Sequence, residues 1–516
     1  MPEVSFLPAE AQGRGSAAGF GDDGNGIEAM LKSLGSGAWG GSREAIDRLN
    51  KSLQAGSGTQ WGATNGGAFR YQDLETSFIA TTFTMAHLGN TLYQRLLKDK
   101  VAATDIEHQF NRITGWGSGG PFKSEIATLV SQDVTLARAS AQIKFRYTKR
   151  SVSDPLKLIN GGQRAEQVQI MGGNIYLAET GERYLYEGNS DIVSVEYDGL
   201  RKTILANGTI GTDIIDLAGQ APTSNTFNNI AEAMAQSGSY GVPSDIYMDL
   251  EAGTVFDEVL EGDKERVLVY PNEQGRYVNN IPIAPTTPWN VPQGNNYGHP
   301  AKGYASRHGL MVFWPHTFCG FRKTCLAAAE NTSCATTPTI ALSEVTPATS
   351  YTLGTDLGTY RVRVSAENAD GESAACVAST QALTAAANAV RVTITPGATR
   401  GAAYRIYVSP PGGAAGSERY VGRVVDSGGA TSVFDVILDK RPHCFDAFVL
   451  QLSGEIEEMR ALALAVLAIG RKILPEGDTY SQWSQFAYDG PAYYSPARMK
   501  LIRNIGKTTY VDGWPV

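Results

Sequence analysis

Three stretches of the chain carry residue types that do chemistry in other settings. Gly115-Trp-Gly117-Ser-Gly-Gly120 has the spacing of a dinucleotide-binding loop. Such a loop must follow a strand, open a helix and lead to an acidic residue about 20 positions on. Pro121 and a strand-like run follow here instead, so a flexible hinge is the better reading. Gly506-Lys507-Thr508 resembles the end of a phosphate loop, but Leu501 stands where the first glycine belongs, and the cradle of backbone amides is missing. His308, His316, Cys319, Cys325 and Cys334 lie close in sequence and invite a zinc reading. Zinc ribbons and fingers use pairs roughly two to four residues apart. Only His316 and Cys319 meet that spacing, so partly buried thiols are favoured over a metal centre.

The six histidines (His87, His108, His299, His308, His316 and His443) stand in no recognisable nucleophile arrangement. No G-x-S-x-G elbow, H-E-x-x-H pair or close carboxylate pair flanked by aromatics occurs. Triads assemble from distant residues, so this lowers the weight of an enzyme reading without excluding it. Lys144-Phe-Arg-Tyr-Thr-Lys-Arg150 interleaves bases and aromatics, as single-strand nucleic-acid binders do. A solvated strand face, or a hairpin resting on an acidic neighbour, explains it as well.

Composition narrows the classes. The chain has 516 residues, 42% hydrophobic and 19% charged, with a formal net charge of −8. An acidic balance argues against a dedicated nucleic-acid binder, whose affinity comes mainly from excess Lys and Arg. The start lacks a basic segment followed by an apolar core, and the longest apolar run, 461–470, is about half of what a bilayer span requires. The reading is a soluble protein; its five cysteines (Cys319, Cys325, Cys334, Cys376 and Cys444) cannot all pair, and a reducing compartment is favoured.

The elements follow from periodicity. Residues 1–68 read as an arm, because glycine-rich runs at 19–26, 35–41 and 56–58 leave pieces too short to enclose a core. Phe6, Phe20, Trp39 and Trp61 are more aromatics than a plain linker carries, so the arm is expected to order by lying on a neighbour. Leu88, Leu92, Leu96 and Leu97 predict a helical stretch over 77–97. The segment 115–154 is read as a projecting two-stranded hairpin, with Ile143, Phe145 and Tyr147 on one face and Lys144, Arg146 and Thr148 on the other. A long helix is expected over 162–186, with Val168, Met171, Ile175, Ala178 and Leu185 inward and Arg164, Glu166, Glu179, Glu182 and Arg183 in water. Gly172-Gly173 weakens its middle and permits a bend. Strands are expected at 193–197 and 200–205, helices at 228–236 and from Glu251, and a long surface loop at 270–305.

Within 335–438 the pattern changes. Tyr360, Val362, Val364 and Ala366 alternate with Arg361, Arg363, Ser365 and Glu367 up to the Asp370-Gly371 turn. Short runs at 390–394, 404–408, 420–425 and 431–434 follow, parted by Pro410-Pro411-Gly412-Gly413 and Ser427-Gly428-Gly429. That is the pattern of a small β-sandwich inserted in another domain.

Arm, hairpin, long helix, mixed head and inserted sandwich, in that order, resemble the major capsid proteins of tailed bacteriophages, which share the Hong Kong-type fold. Tyr71-Gln-Asp-Leu-Glu75, Leu92-Tyr-Gln-Arg-Leu and Ala103-Thr-Asp-Ile-Glu-His108 look like that family's entry segment. Glu182-Arg-Tyr-Leu-Tyr-Glu-Gly-Asn189 and Val195-Glu-Tyr-Asp-Gly-Leu200 look like the end of its spine helix and the strand beyond. Asp216-Leu-Ala-Gly219 and Pro243-Ser-Asp-Ile-Tyr-Met248 look like head elements. The inserted segment resembles immunoglobulin-like or fibronectin-like modules. Strands and loops are expected from Phe445 to the end, although Ile456-Glu-Glu-Met-Arg-Ala-Leu-Ala-Leu-Ala-Val466 reads as more helical than the family pattern.

The resemblance implies an α+β Hong Kong-type fold. The capsid core occupies 69–334 and 439–516, and an all-β immunoglobulin-like domain occupies 335–438. It implies a non-enzymatic shell subunit without cofactor or metal, forming pentamers and hexamers around double-stranded DNA in a virion assembled in the host bacterial cytoplasm. Portal, scaffolding or decoration proteins are the further partners, and no membrane is involved. Phe20, Trp39, Ile143, Phe145 and Tyr147 are the expected contacts between subunits. The module is expected to sit outside the shell and to be dispensable for closing it. A surface adhesin or tail-fibre-like protein, a hydrolase with an accessory sandwich, and a protein-only nanocompartment shell are the alternatives.

Overall fold

A computed structural model describes residues 82–515, apart from 118–121, 123, 126–130, 132, 159–161, 237, 261–266, 270–301, 348–356, 386–387, 437–439, 453–459, 476–478, 507–509 and 512–513. The arm with Phe20 and Trp39, and nearly all of the expected loop at 270–305, lie outside the described residues. Thr82–Val516 forms one compact unit.

Its first strands are β1 (Val101–Ala102), β2 (Glu107–Gly115), β3 (Thr135–Gln142) and β4 (Lys144–Ser153), and the long helix Gly162–Glu187 follows. Next come β5 (Ile214–Asp216), β6 (Asp245–Met248), β7 (Val267–Val269), β8 (Lys302–Ser306) and β9 (Gly309–Pro315). Then β10 (Thr339–Val345), β11 (Gly358–Asn368), β12 (Gly371–Glu372), β13 (Ser379–Leu383), β14 (Ala389–Thr395), β15 (Ala403–Val408), β16 (Arg419–Val425) and β17 (Ser432–Val436) run with no helix between them among the described residues. The chain closes through β18 (Phe445–Leu450), β19 (Leu462–Ile473), β20 (Tyr480–Tyr493) and β21 (Met499–Ile505). This is a mixed α+β architecture.

A mixed sheet in the order β5-β21-β18-β6-β9-β8-β7 forms the head. One face packs under helices Ser224–Ala235 and Leu250–Leu260 around Phe227, Met234, Val255, Phe256 and Phe313. Its other face meets the end of the long helix and helix Leu200–Asn207 through Leu185, Tyr186, Leu200, Ile204 and Phe448. A second sheet, β1-β19-β20-β4, lies along the long helix. Between β9 and β18, which flank β6 as neighbours, the chain builds two further sheets. These are β10-β14-β17, and β12-β11-β15-β16 with β13 on β11, and they share one core around Tyr360, Val362, Val392, Tyr404 and Ile406.

Four expectations are corrected. The 200–205 strand is helix Leu200–Asn207. Leu200 and Ile204, one turn apart, both enter the core, and apolar spacing of four there outweighs β-propensity. The 193–197 strand is a run of turns, closed by Gly199 N–H donating to Gly188 O over 2.8 Å. The run 456–466, which reads as more helical than the family pattern, is strand β19 from Leu462 on. It lies between β1 and β20 with Leu462 to Val466 buried on both faces, so its apolar residues do not alternate. The helical stretch over 77–97 is, where described, a 3-10 turn Met85–Leu88 and a separate helix Leu92–Lys98, interrupted at Gly89 to Thr91.

The long helix keeps Ala178 and Leu185 inward as expected, with Ile175 half-buried, but turns the start of that face out. Val168 and Met171 are exposed, while Gly173, Leu177, Gly181, Glu182, Leu185 and Tyr186 are buried. A Cβ on Gly173 would meet Gln485 of β20, and one on Gly181 would meet Arg146 at 2.6 Å and Tyr93 at 2.9 Å. Glycine therefore lets helix and sheet approach closely, and glycine carries no weight in a count of apolar residues.

Candidate functional site

The hairpin is not built from 115–154. β2 pairs with β3, from Glu107↔Gln142 out to Gly115↔Thr135, and among the described residues this ribbon joins no other sheet. β4 leaves it and pairs along its whole length with β20, from Tyr480↔Ser153 to Asp489↔Lys144. Ile143 is the pivot between the two. It is 1% exposed, packed with Ala103, Ala465 and Ala492, and its N–H donates to Ile106 O over 2.8 Å. The expectation that Ile143 shares an outward face with Phe145 and Tyr147 is therefore corrected: the backbone changes sheet at Ile143 and its side chain enters the core.

Phe145 and Tyr147 do point out, at 46% and 56% exposed. The inner face of their strand is polar. Arg146 reaches under the sheet and donates to Asp489 Oδ2 over 2.6 Å, to Tyr93 Oη over 2.8 Å and to Leu177 O over 2.5 Å. Tyr93 donates to the same carboxylate over 2.5 Å. Burial opposes the Arg146 charge, but Asp489 beside it holds the guanidinium well above its ordinary range; burial pushes the Tyr93 phenol up. Gln485, also facing inward, donates to Ile170 O and Asn174 Oδ1 of the long helix over 2.9 and 3.0 Å. Arg146 and Gln485 thus both have partners, which is the condition for burying a charge, while Trp483 Nε1 and Arg150 Nε on the same face are buried without a hydrogen-bond partner.

The outer face is aromatic. Register places Phe145 opposite Tyr488 and Tyr147 opposite Phe486. Phe145 meets Tyr488 edge-on at 5.0 Å, Tyr147 meets it at 5.5 Å, and Phe486 stacks on it at 4.7 Å. Gly470 opposite Phe486 leaves room for that ring. The next row out, Lys149, Ser484 and Lys472, carries two exposed cations and no carboxylate. The sheet thus sets charge against the helix and, apart from the buried Trp483, its rings toward solvent. β4 is moreover the last strand on its side among the described residues.

At the base of the ribbon, Phe110 lies edge-on to Tyr494 at 4.7 Å and Arg112 donates to Tyr493 O over 2.6 Å. Farther out, Ile113 and Leu136, which face each other in register, are 53% and 65% exposed, and Trp116 is 80% exposed. Alternation in the sequence pointed to Phe145 and Tyr147. Phe486, Tyr488, Ile113, Leu136 and Trp116 were missed, because only register brings the first two beside β4 and only the length of the ribbon carries the others away from the body.

A second cluster sits behind the sheet. Glu182, expected in water, is fully buried and accepts from Leu92 N–H over 3.1 Å and Tyr93 N–H over 2.6 Å, the first amides of helix Leu92–Lys98. His316 Nε2 stands 3.3 Å from its carboxylate and 3.2 Å from Tyr186 Oη. Burial raises the Glu182 carboxyl to about 7 and, with Arg183 nearby, lowers His316 to about 3. Among the described residues no group of three or more His, Cys, Asp and Glu side chains could hold a metal ion, and all five cysteines are free thiols. No described helix is long and apolar enough to cross a membrane.

No family model matches the chain, and no curated protein matches it. Among solved structures, one titled Gordonia phage Cozz is similar over 87% of this chain and 96% of its own, at 10% identity and a TM-score of 0.39. One titled as the capsid of a native GTA particle matches 86% of this chain and 98% of its own, at 9% identity and a TM-score of 0.39. The holo-SrpI encapsulin complex from Synechococcus elongatus matches 85% and 95%, at 9% identity and a TM-score of 0.34. Likenesses this slight carry no argument about function.

Proposed function

We propose that the chain is a shell subunit, the major capsid protein of a tailed bacteriophage, many copies of which enclose a double-stranded DNA genome. One observation carries this reading. Among the described residues, the body has an aromatic sheet face with nothing over it and a two-stranded ribbon that exposes Ile113, Leu136 and Trp116. An isolated two-stranded ribbon is marginal in water, and an apolar open strand beside it invites pairing. A second copy of the chain supplies cover for both at once, and repetition of that contact builds a lattice. The order of elements, with its resemblance to phage capsid proteins, supports the closed shell over an open fibre. In this reading the two-sheet segment is an inserted immunoglobulin-like module.

The test separates folding from assembly. Phe145→Asp removes a ring from the outer patch and touches nothing in the core. The variant is expected to keep the wild-type circular dichroism and melting temperature while failing to sediment as large particles. Shells formed in wild-type yield by Phe145→Asp and by the double variant Phe145→Asp, Tyr147→Asp would exclude this contact.

A further inference from the structure

We propose that the two-sheet module is locked to the rest of the subunit in one orientation by a buried charged seam, so that it moves with the end of the long helix and not as a tethered bead. In a free-standing sandwich each sheet turns one face to the shared core and the other to water. The β10-β14-β17 sheet does this, with Thr339, Ala341, Ser343 and Thr395 exposed. The other sheet does not. Along β15, Tyr404, Ile406 and Val408 fill the core, yet Arg405 and Tyr407 on the opposite face are also buried.

Their cover comes partly from the module's own Glu367 and Glu372 and partly from the head. Arg423 of β16 makes a two-pronged bond to Glu196, in the turns after the long helix, at 2.8 and 2.6 Å. Arg405 makes the same kind of bond to Glu367 at 2.8 and 2.7 Å, and donates to Glu372 over 3.0 Å. Tyr184 of the long helix donates to Glu367 over 2.9 Å. The Phe321 ring lies 4.4 Å from the Arg405 guanidinium and 4.9 Å from that of Arg423. Lys440 donates to Glu187 at the helix end over 2.6 Å and stands 5.0 Å from the Tyr420 ring.

The host side of the seam thus comes from the helix end (Tyr184, Glu187), the turns beyond it (Glu196) and the segment entering the module (Phe321). Two-pronged guanidinium–carboxylate bonds fix orientation as well as distance. Parting the two sides would separate Arg423 from Glu196 and the Tyr184 hydroxyl from Glu367, leaving only the pairs of Arg405 and Arg423 with Glu367 inside the module, and would give up the two-pronged bond that fixes the orientation. Two chain crossings alone would permit swivelling; the seam removes it. Lys323 and Lys440 flank the module on either side and are themselves engaged, Lys323 with Asp249 at 2.5 Å and Lys440 with Glu187.

The full-length protein tests this through trypsin cleavage after those two lysines, followed by mass spectrometry, together with hydrogen exchange in β11, β14 and β15. In Glu196→Gln and Arg423→Ala, cleavage after Lys323 and Lys440 is expected to accelerate at least tenfold while the module's central strands keep wild-type protection. Unchanged cleavage in both variants overturns the lock. So does loss of protection throughout the module in both, which would make the seam part of the module's own fold. If Arg423→Ala yields no folded protein, Glu196→Gln, which keeps shape and removes charge, decides the matter alone.

Discussion

At the residue scale, the Glu182–His316 pair makes a prediction whose sign can be worked out. Glu182 titrates near 7 in the fold against an ordinary 4.5, so the fold holds a proton that the unfolded chain releases. Its contribution to stability is full below about 4.5 and is lost as pH rises through 7. His316 titrates near 3 against an ordinary 6.5, so the fold refuses a proton that the unfolded chain takes up. Its contribution is full above about 6.5 and is lost as pH falls toward 3. Between those limits the two slopes oppose each other, and the wild type should show a shallow profile. Glu182→Gln should leave a stability that climbs with pH up to about 6.5, and His316→Gln one that declines with pH up to about 7, both read by denaturant unfolding. Glu182→Ala additionally strands the Leu92 and Tyr93 amides, at roughly 1–3 kcal/mol. None of this was legible in sequence. A glutamate on a helix between Gly181 and Arg183 reads as solvated, and only the fold brings helix Leu92–Lys98 onto it.

At the element scale, long periodic segments were legible and partnership was not. The long helix and the alternating strands β4 and β11 stand near their expected positions, because period alone identifies them. The hairpin was displaced. Alternation says that Lys144 to Ser153 is a strand but not which strand it joins, and Ile143, apolar like its neighbours, hides the switch of sheet. β19 was misread because burial on both faces erases alternation. The glycines of the long helix give a contrasting pair of expectations. Gly172→Ala should stabilise by about 0.5–1 kcal/mol, because nothing lies within 4 Å of the added carbon and helix propensity alone decides. Gly181→Ala should destabilise by about 1–3 kcal/mol, since the added carbon meets the Arg146 guanidinium pinned by Asp489 and the Tyr93 ring. Thermal melts of the two variants, displaced in opposite directions, check the close approach of helix and sheet.

At the scale of the whole molecule, the change of pattern after Ala335 identified a β-rich segment but not its attachment. The alternation of Arg361, Arg363, Arg405 and Arg423 with apolar residues reads as a wetted face. For Arg405 and Arg423 that face is instead the joint with the head. The expectation that the segment is dispensable for closing the shell concerns assembly; the seam adds a separate expectation for the stability of the subunit. Replacing it by a short Gly-Ser linker uncovers Phe321, Tyr184, Glu187 and Glu196 together, and the shortened protein should melt well below the full chain or fail to stay soluble. A shortened protein with the full melting temperature would mean that the seam contributes nothing.

The central claim, that copies of this chain cover one another's apolar ribbon and sheet face in a closed shell, is tested most directly by cryo-electron microscopy of the purified full-length protein. The account predicts closed particles of uniform size in which density from a neighbouring copy lies over Phe145, Tyr147, Phe486 and Tyr488, and in which the ribbon carrying Ile113 and Leu136 rests on another subunit. A monodisperse monomer at every concentration tried, or particles whose aromatic face is open to solvent, would contradict it.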